Sequence, residues 1–270
     1  MNHHTPLSRT IDVTQASVAR MWNYYLGGKD HYPADRKACE QLLEFAPSAQ
    51  ILAVDNRRFL KRVIRCLTVE HGVRQFLDIG AGLPTRENAH DIAQWYSADA
   101  KVIYIDNDPM VLAYGRALLE DHESTAVVQA DLRDPDALLD HPRVAGMFNL
   151  SQPVAALYAS VLHCVPDEDT PADLVRRTAA RLGPGNFLAI SHLVSEDATT
   201  RRAVTDFMRD GTAGRWGAVR RPQDVDRFFA DLDVLEPGLM DVSAWRADVV
   251  PGPRQHAREW IQYGGVARVP

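Results

Sequence analysis

The 270-residue chain contains few cysteines and no long hydrophobic run, and each scarcity excludes a class of protein. Its three cysteines, Cys39, Cys66 and Cys164, lie far apart without a Cys-x-x-Cys pair, which indicates a reduced cytosolic protein rather than a disulfide framework. No apolar stretch approaches the ~20 residues that a membrane helix needs, and residues 1–5 lack the apolar core of a signal peptide. We therefore expect a cytoplasmic protein without a membrane partner.

Basic residues are fewer than acidic ones, with 30 Lys and Arg against 36 Asp and Glu. The formal net charge is -6 and the pI is about 5.9, which argues against a nucleic-acid surface built on bulk charge. Hydrophobic residues make up 46% of the chain, enough for a sizeable core. The length fits one large domain or two small ones, and no internal repeat is present. Residues 1–15 and 248–256 are expected to be loops.

Two glycines follow a short apolar stretch in the first half of the chain. Residues 76–79 favour a buried strand that contains Asp78, then come Gly80 and Gly82, and a helical pattern runs over residues 88–96. Glycine lets a ligand approach the main chain without a Cβ in the way. Ligands of open α/β sheets bind at such carboxyl ends of strands. This turn is therefore the predicted centre of a nucleotide site.

The pattern departs from a dinucleotide fingerprint, which requires a third glycine. That position is Thr85 here, and Asp78 would place a negative charge close to a pyrophosphate. S-adenosylmethionine carries an ammonium and a sulfonium and no phosphate, so an acid beside the turn suits it better. The turn favours S-adenosylmethionine over NAD, with an ordinary tight turn as the alternative interpretation.

Two further strands are predicted to end in acids. Residues 101–106 form a strand that ends at Asp106, where a carboxylate accepts hydrogen bonds from both ribose hydroxyls in methyltransferases and NAD enzymes alike. Residues 125–130 form the next strand, and Asp131 with Leu132 could hydrogen-bond and cover an adenine. Later strands are expected over residues 153–162, 186–192, 235–242 and 264–269, with helices over 172–182, 196–207 and 223–232. The alternation predicts an α/β fold.

Three helices are predicted before the first strand, over residues 17–25, 34–45 and 49–70. The stretch 22–32 is dense in aromatic residues and includes Tyr24 and Gly28. These aromatics could simply pack on the core. Alternatively, residues 23–30 form a lid, because a cation such as sulfonium is stabilised over aromatic faces and a glycine supplies a flexible joint.

Several short motifs occur in order along nearly the whole chain. They are Ala19-Arg20, Asn23-Tyr24, Leu26-Gly27-Gly28-Lys29-Asp30, residues 76–85, Tyr104-Ile105-Asp106-Asn107-Asp108-Pro109, residues 129–135, residues 163–169 and Gly265-Val266-Ala267-Arg268. Together they resemble class I methyltransferases that use S-adenosylmethionine, and more narrowly a bacterial family of S-adenosyl methyltransferases with no assigned substrate. Trp22-Asn23 departs from the family, which more usually has Tyr-Asp.

The resemblance implies a Rossmann-like seven-stranded mixed sheet flanked by helices, with the last strand antiparallel. We expect an N-terminal helical cap or lid over residues 1–70 that packs on an S-adenosylmethionine-binding domain over residues 71–270, the two forming one structural unit. The methionine part of the cofactor would lie along Gly80 and Gly82, near Asp78. Asp106 would hold the ribose, and Asp131 and Leu132 would contact the adenine. The other expected cofactor contacts are Asn107, Leu162, Tyr24 and Gly28.

Methyl transfer needs alignment of nucleophile, methyl and sulfur and exclusion of water. A hydroxyl or protonated amine acceptor also benefits from a general base, and His192 and His163 are the candidates because both are predicted near carboxyl ends of central strands. Either could instead be a hydrogen-bonded structural histidine. We expect a small-molecule acceptor, O- or N-methylation and no metal ion. An NAD-dependent oxidoreductase and a non-catalytic binding or regulatory protein are the alternatives, and the oligomeric state is open.

Overall fold

A computed structural model of the chain describes residues 11–121, 123–248 and 260–270. Five parallel strands form the centre of one mixed sheet: β1 (Gln75–Ile79), β2 (Lys101–Asp106), β3 (Thr125–Gln129), β4 (Val154–Ala159) and β5 (Phe187–Val194). The long strand β8 (Ile261–Arg268) pairs antiparallel with β5. The strand order is β3-β2-β1-β4-β5-β8-β6, and β7 also pairs with β8. The predicted α/β fold with an antiparallel last strand is confirmed.

Helices cover both faces of the sheet because successive side chains of a strand point to opposite faces. Leu77 and Ile79 of β1 belong to one buried cluster, and Phe76 belongs to the cluster on the other face. The helices after β1 are α4 (Ala89–Tyr96), α5 (Pro109–Leu118), α6 (Pro135–Leu139), α7 (Pro142–Met147), α8 (Pro171–Leu182), α9 (Ala198–Gly211) and α10 (Pro222–Asp226). No described helix combines the length and the apolar character that a membrane span requires.

Three helices precede the sheet: α1 (Val18–Tyr25), α2 (Pro33–Phe45) and α3 (Ala49–Glu70). A third apolar cluster joins them to α9 and to Trp216 and Trp260. Arg20 of α1 and Asp35 of α2 form an ion pair of 2.8 Å between side chains that are almost fully buried. Because Asp35 also accepts a hydrogen bond from the backbone N–H of Ser17 (2.9 Å), α1 is fixed to α2 at its first turn.

The C-terminal third departs most from the sequence-based prediction. The single strand expected over residues 235–242 is wrong: the structure has two short strands, β6 (Asp233–Val234) and β7 (Met240–Asp241). Pro237 and Gly238 interrupt the run, since proline lacks the N–H for a ladder. The helix expected over 223–232 is too long, because α10 ends at Asp226, a 3-10 turn covers Arg227–Phe229 and Asp231 adopts a left-handed φ of 62°. The loop expected at 248–256 and residues 1–10 of the N-terminal lead lie outside the described residues, Asp248 excepted.

Candidate functional site

A cavity of about 530 Å³ opens at the carboxyl ends of β1, β2, β3 and β4. The strand order reverses between β1 and β4, and such a switch point leaves a crevice in which ligands of α/β sheets bind. Helix α1, helix α3 and residues 213–215 complete the wall. The lining residues include Ser17, Trp22, Asn23, Leu26, Asn56, Arg57, Asp78, Gly80, Gly82, Asp106, Asn107, Asp131, Leu132, Ser160, Val161, Cys164 and Arg215.

The turn after β1 is held against β2 by main-chain hydrogen bonds. The N–H groups of Gly80 and Ala81 both donate to the carbonyl oxygen of Ile105, at 2.8 and 3.2 Å. Gly80 and Gly82 have φ values of 71° and 68°, in the left-handed region that favours glycine. A Cβ on Gly82 would meet no atom within 4 Å, so this residue leaves main chain open towards the cavity.

A buried acid, Asp78, and a half-buried one, Asp106, flank this turn. Asp78 is only 4% exposed, and Asp106 lies across from it with Oδ2 accepting from the Gly82 N–H (3.0 Å) and Oδ1 from the Asp108 N–H (2.9 Å). Burial raises the pKa of each carboxyl to about 6, although Arg57 counteracts this for Asp78 and the two N–H groups counteract it for Asp106. A cationic or hydroxyl-bearing ligand would offset the cost of burying these carboxylates, whereas a phosphate would add to it.

The acid at the end of β3 also lines the cavity. Asp131 accepts from Nη2 of Arg133 at 2.5 Å, and Nη1 of Arg133 lies 3.4 Å from Asp169. Leu132 is half-buried beside it and supplies an apolar surface. Seven of the predicted cofactor contacts therefore line a single cavity: Asp78, Gly80, Gly82, Asp106, Asn107, Asp131 and Leu132.

Three predicted contacts lie away from the cavity. Leu162 is fully buried in the core, and its neighbours Val161 and Cys164 line the cavity instead. The Tyr24 ring packs edge-on against His31 with centroids 5.1 Å apart. Gly28 lies against the side chain of Asn23, since a Cβ there would be 2.3 Å from Asn23 Oδ1.

Helix periodicity explains which residues of α1 reach the cavity. Val18, Trp22 and Leu26 recur at four-residue spacing and share one face with Ala19 and Asn23. This signal was available in the sequence, but it does not say which face meets the sheet.

Neither predicted general base lines the cavity. His192 is fully buried, with Nδ1 2.8 Å from the carbonyl oxygen of Leu193 and Nε2 2.8 Å from Nη1 of Arg220. Because a guanidinium only donates, Nε2 must accept and Nδ1 must carry the hydrogen. Burial and Arg220 lower the pKa of His192. Its basic lone pair is thus already engaged.

His163 is enclosed by aromatic rings. Its ring centroid lies 4.4 Å from that of Trp216 and 6.5 Å from that of Trp22, and neither ring nitrogen has a hydrogen-bond partner among the described residues. Burial, with a contribution from Arg220, lowers the pKa of His163 to about 3. In this arrangement neither histidine is in place to accept a proton from a molecule in the cavity.

Sequence reasoning missed the three lining residues of α3, which are Asn56, Arg57 and Leu60. Arg57 donates from Nη2 to Thr85 Oγ1 (3.0 Å) and to the carbonyl oxygen of Glu87 (2.6 Å), and within the described ranges it makes no direct ion pair. Its neighbour Asn56 is 5% exposed. No sequence motif marks these positions. The basic residues around them are typical of a solvent-exposed helix face, so they do not indicate a binding site.

Comparisons with known proteins agree along nearly the whole chain. A family model described as S-adenosyl methyltransferase matches residues 4–270. The crystal structure of a candidate methyltransferase from Thermobifida fusca is 35% identical, with 96% of each chain covered and a TM-score of 0.89. A DUF574 family protein from Streptomyces avermitilis is 36% identical over 97% of this chain and 100% of its own, with a TM-score of 0.88. A search of curated proteins found no match.

Proposed function

Since the chain belongs to the S-adenosyl methyltransferase family, we propose that it methylates a small molecule that binds in the same cavity as S-adenosylmethionine, on an oxygen or nitrogen atom. The family match confirms the predicted enzyme class and cofactor, and an NAD-dependent oxidoreductase is not supported. The observation that carries the proposal is one cavity that combines the Asp78–Gly82 turn with Asp106, Asp131 and a further wall from α1 and α3.

The residues of the cavity fit this cofactor. Asp78 would accept a hydrogen bond from the ammonium group of the methionine part. The guanidinium of Arg57, whose charge acts on Asp78, would hold the carboxylate of the methionine part. Asp106 would accept hydrogen bonds from the ribose hydroxyls, and Leu132 with Asp131 would contact the adenine. When bound, the sulfonium supplies a methyl group that is already activated for displacement.

The remaining task of the protein is alignment and exclusion of water. The cavity has an apolar wall beside the glycine turn, formed by Trp22 of α1, Leu26 at the end of that helix, Leu60 of α3 and Val161 after β4. Trp22 also supplies an aromatic face, and a desolvated cation near such a face gains about 2 kcal/mol. A cavity covered in this way favours small acceptors over macromolecules.

Calorimetry and a transfer assay test the proposal together. We expect saturable one-to-one binding of S-adenosylmethionine and S-adenosylhomocysteine and no heat with NAD. We also expect S-adenosylhomocysteine to form when the low-molecular-weight fraction of a cell extract is added. Formation only with the macromolecular fraction would refute the small-molecule acceptor, and binding of NAD alone would refute the cofactor assignment.

Helix α1 is expected to respond to the cofactor. Ser17 Oγ donates to Asp108 Oδ2 (3.0 Å), and Asp108 follows the acid that we assign to the ribose, so ligand binding at Asp106 should stiffen the start of α1. Hydrogen exchange should therefore slow for residues 17–30 when S-adenosylhomocysteine binds. Helix α8, which contributes no lining residue, is the internal control. Unchanged exchange over residues 17–30 would mean that α1 is ordinary core.

A further inference from the structure

The sheet order divides the cavity into two halves. Asp131, Asp106 and Asp78 lie at the carboxyl ends of β3, β2 and β1 in that spatial order, and we assign them to adenine, ribose and methionine. The next strands along the sheet are β4 and β5. An acceptor that meets the methyl group beyond the methionine part should therefore lie over the carboxyl ends of β4 and β5. Ser160 follows β4 there, and Asn56 of α3 lies above it.

A buried hydrogen-bond network holds these two side chains. Ser191 of β5 donates from Oγ to Asn56 Oδ1 at 2.6 Å, and Gln262 of β8 donates from Nε2 to Ser160 Oγ at 2.6 Å. The Ser160 N–H donates to the carbonyl oxygen of Ser191 at 3.1 Å. Ser191 and Gln262 are fully buried. The lining side chains are thus fixed from behind by residues that do not line the cavity.

The network leaves two donors for a ligand. Asn56 is 95% enclosed (5% exposed), and its Nδ2 has no partner in the described part of the chain. Ser160 Oγ already accepts from Gln262, so its own hydrogen can be donated. Ser160 also has a left-handed φ of 63°. A strained non-glycine residue costs of order 1–3 kcal/mol, and such residues cluster at functional sites. Two hydrogen-bond donors side by side suit a ligand oxygen atom in this half of the cavity.

The cavity leaves no free group to take a proton from the acceptor. Asp78 and Asp106, whose carboxyl pKa values are raised to about 6, are assigned to the ammonium group and the ribose of the cofactor. The described lining of the cavity contains no histidine, lysine, glutamate or tyrosine. Burial raises the pKa of the Cys164 thiol to about 12, so it stays protonated. Asp108 caps α5 and accepts from Ser17, while Asp131 pairs with Arg133. An acceptor that is already an anion requires none of these groups.

A cation at the same cavity completes the pattern. Arg215 lines it, is exposed and makes no ion pair within the described residues. The segment that carries it is anchored by the N–H groups of Gly217 and Ala218, which both donate to the carbonyl oxygen of His163 at 3.0 Å. A guanidinium without a carboxylate partner favours an anionic ligand.

We propose that the acceptor is a small carboxylic acid, bound as its carboxylate by Asn56 and Ser160 with Arg215 nearby, and that the product is its methyl ester. The inference rests on the proposed function. One carboxylate oxygen accepts the two hydrogen bonds, and the other supplies the electron pair for the new C–O bond. The C–S bond breaks with its electrons remaining on sulfur, the carboxylate and sulfonium charges cancel, and no proton moves.

The first experiment uses S-adenosyl-[methyl-³H]methionine with benzoic, phenylacetic, cinnamic and hexanoic acids, each paired with its primary amide. We expect label in the products of acids only, and its release as methanol by mild alkali, which cleaves methyl esters but not ethers or N-methyl groups. Alkali-stable label would overturn the carboxylate while leaving methyl transfer intact. Failure of S-adenosylhomocysteine to bind would instead refute the proposed function itself.

The second experiment measures binding without turnover. The same acids and amides are titrated into the protein saturated with S-adenosylhomocysteine. We expect at least one acid to bind at least tenfold more tightly than its amide. Asn56→Asp, which replaces the donor by a negative charge, should abolish that preference while the dissociation constant of S-adenosylhomocysteine changes less than twofold. Equal binding of every acid and its amide, or an unaltered preference in Asn56→Asp, would overturn the proposal.

Discussion

Replacing Asp106 by alanine is expected to weaken the binding of S-adenosylmethionine by roughly tenfold to hundredfold. Hydrogen bonds to a charged group contribute about 1.5–3 kcal/mol, and a carboxylate at this position would accept them from the ribose. The substitution also removes the acceptor for the Gly82 N–H (3.0 Å) and the Asp108 N–H (2.9 Å). The loss therefore combines a missing ligand contact with a looser glycine turn.

Asp106→Asn separates the charge from the shape of the side chain. The pKa of Asp106 is raised to about 6, which means that burial disfavours its charged form in the free protein. The neutral amide removes that cost, but it has one oxygen where the carboxylate uses two, so its Nδ2 would face the N–H of Gly82 or Asp108. Asp106→Asn should therefore lose one of these two hydrogen bonds and bind the cofactor more weakly than the parent. Calorimetry and thermal unfolding of both variants decide this, with Asp99→Ala, an exposed acid remote from the cavity, as the control. An unchanged dissociation constant in Asp106→Ala would remove this residue from the site.

The part of the site formed by the ends of β1, β2 and β3 could be predicted, because it depends on short sequence patterns within each strand. Strands β1, β2 and β3 are buried on both faces and form short apolar runs, and each has an acid in or just after its carboxyl end. Parallel strands bring those ends to one edge. Asp78, Asp106 and Asp131 therefore lie together without any knowledge of side-chain packing.

The histidines show where this reasoning stops. Position near a strand end does not fix the face, and neighbouring residues of a strand point to opposite faces. Ser191 contacts Asn56 at the cavity, so His192, one residue on, points away towards Arg220 and Phe228. A shift of one residue in the register of the strand would place His192 at the cavity and turn Ser191 away from it. The sequence shows that Ser191 and His192 are neighbours, but it does not show which of them points to the cavity.

Helix α1 lies where the sequence predicts it, but the face that it turns to the cavity could not be predicted, for a related reason. Tyr24 and Gly28 were chosen for their chemistry, but the contact face is set by the buried ion pair of Arg20 with Asp35 and by packing on α2. These are contacts between separate helices, which no local pattern encodes. Asn56 and Arg57 were missed because the rotation of α3 over β4 is likewise a tertiary property.

Replacing Gly80 by alanine is expected to destabilise the fold by about 2–5 kcal/mol and to abolish measurable cofactor binding. A left-handed φ of 71° costs an L-residue with a Cβ roughly 1–2 kcal/mol. The added Cβ would also lie 2.2 Å from Cγ2 of Val161, a residue that is itself buried, so the turn or the end of β4 must shift. Overpacking of this kind costs about 1–3 kcal/mol.

Gly72→Ala is the matched control, because it separates backbone strain from the contact. Gly72 has a φ of 68° and no atom within 4 Å of an added Cβ, and it lies between α3 and β1 away from the cavity. The free energy of unfolding of Gly72→Ala should fall only by the backbone strain of roughly 1–2 kcal/mol, and its cofactor affinity should be unchanged. Adding Val161→Ala to Gly80→Ala should recover part of the lost stability, because it removes the methyl groups at 2.2 and 3.2 Å but keeps the Val161 Cβ at 2.7 Å. Equal urea-unfolding losses for the two glycine variants would show that Val161 yields freely, and that the close approach of the turn to β4 does not constrain the site.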